Sequence, residues 1–178
     1  MIYEFLADGF EEVEALTPLD MLLRAEKEIK TVSIKPSKQV TGAHGITVTA
    51  DMTLGEIDTL PELVILPGGM PGAKNLRGCA EVCKVVTDTY KNGGFVSAIC
   101  AAPFILGELG LLDGKKATCY PGFEKSLIGA KVTGEKVVRD GKIITAAGMG
   151  AALPFAKELV SALCGESKAD EIMRSIIA

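Results

Sequence analysis

The run FVSAICAAPFILGELG, Phe95 to Gly110, decides the fold. Phe95 to Ile99 has the short apolar character of a strand, and Pro103 to Leu109 opens like a helix. Cys100 falls on the join, among the small residues Ala98, Ala101 and Ala102. A nucleophile on a sharp strand-to-helix turn needs small neighbours, because the chain doubles back within van der Waals contact. The same position aims the sulfur at a helix N-terminus, where unpaired N–H groups and the positive dipole end favour an anion.

Working outward, the pattern alternates strand and helix. Strands are predicted at Met1 to Ala7, Ile29 to Lys35, Leu63 to Leu66 and Lys116 to Tyr120. Helices are predicted at Glu11 to Lys27, Cys79 to Lys91, Ala151 to Cys164 and Glu166 to Ile177. Pro18 sits inside the first helix, where it removes a hydrogen bond and favours a bend. Gln39 to Asp51 reads as a hairpin turning at Gly42 to Gly45, and Glu135 to Arg139 pairs with Lys142 to Ala146 across Asp140-Gly141. Several strands are apolar throughout, as in a mostly parallel sheet covered on both faces. The expectation is an α/β three-layer sandwich forming one domain over residues 1–178.

Ligands of such sheets bind at the carboxyl ends of strands. Three segments fall there: Ala7 to Glu14, Pro67 to Gly72, and Cys100. A free cysteine is ordinarily a small buried hydrophobe, and Gly-Gly after a strand is ordinarily a turn. Their joint placement at strand ends favours a site. Making the thiol mostly thiolate at neutral pH takes a downward shift of about three units, or ~4 kcal/mol. A helix dipole supplies at most ~2 kcal/mol, so the backbone N–H groups of Ala101, Gly68 and Gly69 are the candidate donors. Glu14 lies deeper than the dipole-favouring Glu11 and Glu12. If it meets Cys100, two anions repel and the pair holds a proton between them. The only histidine, His44, sits in the hairpin turn, where histidine is ordinarily solvated. A Cys–His hydrolase therefore lacks its base. Tyr120 is a further candidate at the strand ends.

The chain has 178 residues, a net charge of −4 and a pI near 5.1, a balance that argues against nucleic acid or an anionic membrane as partner. No apolar run approaches the ~20 residues of a membrane span, and Met1 leads directly into a strand with no signal-peptide pattern. Five cysteines without a disulfide framework fit a reduced, cytoplasmic chain. Cys79 and Cys83 share a helix face, but a zinc site needs four ligands and candidates are few. No metal and no cofactor are expected.

Taken together, FLADGFEEVEALTPLDMLLRA, VILPGGMPGAKNL, SAICAAP and DGKIITAAGMGAALPFA resemble the ThiJ/PfpI superfamily, and within it the parkinsonism-associated deglycase branch with its bacterial YajL-like members. The resemblance runs from Met1 to about Cys164. It implies a flavodoxin-like sandwich and usually a homodimer. It places the family's reactive cysteine at Cys100, the cysteine-facing glutamate at Glu14 and the backbone anion pocket at Gly69 and Ala101. Arg24 matches an arginine near the dimer interface. His44 stands where close relatives often have an arginine lining the partner's pocket. Ala101 stands where protease-like members have histidine, and Tyr120 where some members of the branch have one, so peptidase activity is not expected. The implied activities are turnover of small reactive dicarbonyls or their protein adducts (glyoxalase or deglycase), or else an oxidative-stress sensor or redox-regulated chaperone in which Cys100 becomes a sulfinate. A pocket that binds a metabolite without chemistry is a third reading.

Overall fold

A computed structural model describes residues 1–178. In chain order the elements are β1 (Ile2–Leu6), α1 (Glu12–Arg24), β2 (Ile29–Ser33), β3 (Gln39–Thr41), β4 (Thr47–Thr49), β5 (Met52–Thr53), β6 (Leu63–Leu66), α2 (Gly72–Gly78), α3 (Ala80–Lys91), β7 (Phe95–Ile99), α4 (Pro103–Glu108), β8 (Lys116–Ala117), β9 (Lys131–Val132), β10 (Val137–Asp140), β11 (Ile143–Ala146), α5 (Ala152–Cys164) and α6 (Glu166–Ser175). Seven strands form one sheet in the order β10-β11-β7-β6-β1-β2-β5. Every pairing in it is parallel except β10 with β11.

The continuous apolar strands follow from burial on both faces. Along β6, Val64 and Leu66 point to one side, where α2, α3 and α4 bring Leu76, Val82, Val86, Ile105 and Leu106. Leu63 and Ile65 point to the other, against Met21 and Leu22 of α1 and Phe155 and Leu159 of α5. This is the period-2 alternation of a strand with a hydrophobic partner on each side. The β3–β4 hairpin stands apart from the sheet and closes over Leu6, Phe10 and Ala15 through Val40.

One expectation is corrected, and one element is added. Lys116 to Tyr120 is a strand only at Lys116–Ala117, paired with Lys131–Val132 outside the main sheet, because Tyr120 turns back to donate its N–H to the Cys100 carbonyl (2.8 Å). The Gly- and Pro-rich stretch before Cys79 contains a helix, α2, with its own buried side chains Ala73 and Leu76. Helix α1 runs through the buried Pro18, which leaves the Glu14 carbonyl without its usual intrahelical donor.

Candidate functional site

The site assembles where β1, β6 and β7 end side by side. After β1 the chain turns at Gly9 and enters α1 at Glu11, whose carboxylate caps the Glu14 N–H at 2.8 Å. After β6 it passes through Gly68 and Gly69. The two loops clasp: the Glu11 N–H donates to the Gly68 carbonyl (3.0 Å), and the Gly72 N–H donates to the Gly9 carbonyl (3.2 Å). Gly69 has φ +83, and a Cβ there would collide with the Glu11 nitrogen. A Cβ at Gly68 would sit 2.5 Å from Glu14 Oε2 and 2.6 Å from Cys100 Cβ. Only glycine at both positions lets these loops close on each other.

Cys100 follows β7 with φ +64, a left-handed conformation uncommon for a residue with a side chain. Its N–H donates to the Ala146 carbonyl at the end of β11 (2.9 Å) and its carbonyl accepts from Tyr120 in the loop after β8 (2.8 Å), so both sides hold the turn. The thiol is half-buried, with the backbone amides of Ala101 and Gly69 beside it. Across from it stands Glu14, fully buried, with Oε2 accepting the Gly68 N–H at 3.0 Å. Oε1 has no partner of full hydrogen-bond geometry, and the thiol is the group that faces the carboxyl. The three strand-end segments therefore meet as the sequence predicts. The Gly69 and Ala101 amides lie beside the sulfur, whereas the Gly68 amide is engaged by Glu14.

The charge state differs from expectation. Burial, opposed in part by the thiol and the Gly68 amide, raises the Glu14 carboxyl to about 7. Burial, then the Glu14 charge, pushes the Cys100 thiol up to about 12 against the pull of the two amides. The expected thiolate-favouring donors are present, but dehydration and the neighbouring carboxylate outweigh them while Glu14 is ionised. The repulsion vanishes when Glu14 holds the shared proton and donates it toward sulfur. The two groups titrate as a pair, which passes from two protons to one near pH 7 and keeps the second on sulfur above it.

The other predicted residues lie apart or at the rim. Tyr120 borders the site: a Cβ on Gly148 would lie 3.2 Å from its ring and 4.0 Å from the Cys100 sulfur. Gly148, not singled out by sequence, is the open wall beside the thiol. Only the fold brings the end of β11 to that place. His44 is exposed, as expected of a turn, yet its Nδ1 lies 2.8 Å from Oε2 of the buried Glu12, whose charge raises the imidazole. Glu11, Glu12 and His44 are the one grouping that brings three metal-type donor atoms within 4.8 Å, and His44 already occupies both Glu12 oxygens. Arg24 is ten residues beyond Glu14, ~15 Å along α1. It pairs with Asp20 at 2.7 Å on an exposed face.

Comparison with known proteins places these features in context. The model of the DJ-1/PfpI family matches residues 1–162. The chain is 38% identical over 175 residues to protein DJ-1 homolog B of Arabidopsis thaliana, covering 97% of this chain and 40% of that protein. It thus spans about two fifths of that relative's length. It is 27% identical to a Caenorhabditis elegans protein named glutathione-independent glyoxalase DJR-1.2, covering 93% of this chain and 89% of that one. Among solved structures, a cysteine-to-alanine mutant of a DJ-1 superfamily protein from Salmonella typhimurium superposes with a TM-score of 0.95 at 32% identity, covering 99% and 97% of the two chains. The flavodoxin-like sandwich read from the sequence is the fold of these relatives.

Proposed function

Because the chain belongs to the DJ-1/PfpI family, and because its strand ends bring one thiol, one buried carboxyl and two amides together, we propose that it is a cysteine-dependent stress-protection enzyme acting on reactive dicarbonyls or their adducts. The observation that carries this reading is the buried Glu14 carboxyl facing the Cys100 thiol at the meeting of three strand ends, with the Gly69 and Ala101 amides beside the sulfur. The name of the nematode relative supports the same chemistry.

The steps use only these groups. The Glu14 carboxylate takes the thiol proton as the sulfur attacks. The sulfur adds to the aldehyde carbon of a 2-oxoaldehyde, and the carbonyl oxygen takes the proton from Glu14 as a hemithioacetal forms. The Gly69 and Ala101 N–H groups stabilise the negative charge before that transfer. The Glu14 carboxylate then removes the proton from the former aldehyde carbon and returns it to the adjacent carbon through an enediol. A 2-hydroxyacyl thioester results, and water cleaves it to a 2-hydroxy acid and free thiol. One water is consumed, and the oxidation of one carbon balances the reduction of the next. The five cysteines, all free, suit a reducing cytoplasm.

The test is lactate formation from methylglyoxal by the wild type, Cys100→Ser and Glu14→Gln. Loss of about 100-fold or more in each variant is expected for a nucleophile and a proton carrier. Equal rates in all three would refute the assignment.

A further inference from the structure

A cavity of about 570 Å³ opens between α2, α4 and the loop after β8. Its wall begins one residue beyond the Gly69 amide, at Met70, and one helical turn beyond the thiol, at Phe104. The Phe123 side of the wall is tied to the cysteine turn: the Phe123 N–H donates to the Tyr120 carbonyl, and Tyr120 donates to Cys100. Phe104 and Phe123 form a tilted aromatic pair with centroids 6.4 Å apart. At the rim, Arg77 is matched by Glu108 at 2.8 Å. Lys74 lines the same cavity and takes part in none of the molecule's ion pairs. Met70, Phe104 and Phe123 thus give the cavity an apolar, aromatic wall, and Lys74 is its one unmatched charge. Its size falls within the ~300–1,000 Å³ of small-molecule pockets. A three-carbon dicarbonyl would leave most of it empty.

We infer that this cavity holds the remainder of a larger substrate: an acidic 2-oxoaldehyde whose aromatic or branched hydrocarbon body lies against Phe104, Phe123 and Met70 and whose anionic end meets Lys74. The inference takes the reactive end from the turnover proposed for Cys100 and derives the rest from the cavity. Lys74 is a specificity residue and touches no reacting atom. Its charge is exposed, so the discrimination it gives is modest, about threefold to fivefold.

The experiment compares 4-carboxyphenylglyoxal, phenylglyoxal and methylglyoxal as substrates of the wild type, Lys74→Glu and Lys74→Arg. The wild type prefers the carboxylated aryl compound to phenylglyoxal in kcat/KM by that factor, through KM. Lys74→Glu abolishes or inverts the preference, Lys74→Arg keeps it, and methylglyoxal kinetics stay the same. A second arm needs no turnover: calorimetric binding of 4-carboxymandelate against mandelate to the same proteins. Lys74-dependent preference for 4-carboxymandelate in a protein that fails to turn over any glyoxal upholds the cavity and rejects the turnover. No preference in the wild type, or a preference untouched by Lys74→Glu, overturns the inference in either arm.

Discussion

At the scale of single residues, two buried carboxyls with raised pKa make stability fall as pH rises. Glu14 is used by the site. Glu4, in the middle of β1, is not: it is fully buried and neither oxygen has a partner. Its neighbours in register are Thr31 and Ile65, and the Thr31 hydroxyl and amide are already taken by Asp51. Burial pushes Glu4 well above the usual carboxylate range. A folded-state value above the unfolded one means that the native chain binds the proton more tightly. The stabilisation is complete below the ordinary carboxylate pKa of about 4.3 and is lost as pH rises toward the folded value. For Glu14 that window closes near 7, a loss on the order of 3 kcal/mol. Glu4→Leu removes the partnerless group and is expected to raise stability at pH 7 by about 1–3 kcal/mol. Urea unfolding between pH 5 and 7 checks both: stability falls with pH in the wild type and falls less in Glu4→Leu and in Glu14→Gln. Equal slopes in the three proteins would contradict this account.

At the scale of elements, the site depends on loops that approach within backbone contact, and the glycines there differ in what they tolerate. Gly69→Ala forces a Cβ onto the Glu11 nitrogen in a left-handed conformation, so a loss of at least about 2 kcal/mol is expected from thermal unfolding. Gly148→Ala places a methyl 3.2 Å from the Tyr120 ring. That ring is exposed and can yield, so stability should hold within about 0.5 kcal/mol. The methyl stands beside the sulfur, so alkylation of Cys100 by iodoacetamide should slow. A Gly148→Ala protein alkylated at the wild-type rate would remove Gly148 from the site wall. The contrast also marks what is legible in the sequence. Strand ends, the cysteine turn and the β10–β11 hairpin follow from local pattern, because apolar runs and Asp-Gly carry their geometry with them. Helix α2 is not read from the sequence, because seven residues opening at Gly72 after a Gly- and Pro-rich run show little helical period and gain their order from burying Ala73 and Leu76. The place of Gly148 is set by tertiary contact alone. The upward shift of the thiol follows from dehydration, which no spacing of residues encodes. Glu4 is visible as a charge in an apolar strand, a signal that reading Met1 to Ala7 simply as a strand passes over.

At the scale of the whole molecule, one face leaves large apolar side chains exposed. Val13, Leu16 and Leu23 of α1 are exposed together with Ile46 of the hairpin loop. Val13, Leu16 and Ile46 line a cavity of about 500 Å³ with Leu153 and Ile176. Asp20 and Arg24, paired with each other, and Glu12, held by His44, form its charged border. A rim of internally paired charges around an apolar stripe is complementary to its own copy under a two-fold axis, where each side presents the same patch. The family resemblance, with Arg24 near the interface, points to the same surface. The protein is accordingly expected to sediment at twice the chain mass of 18.7 kDa. A leucine fully buried in such an interface contributes about 1.5–3 kcal/mol, so Leu16→Glu should weaken association at least about tenfold by sedimentation equilibrium. The side chain of Leu16 is exposed in the single chain, so the fold itself should persist, with an unchanged far-ultraviolet circular dichroism spectrum. A wild-type protein that sediments at the single-chain mass, or a Leu16→Glu dimer as tight as the wild type, would move the interface off α1.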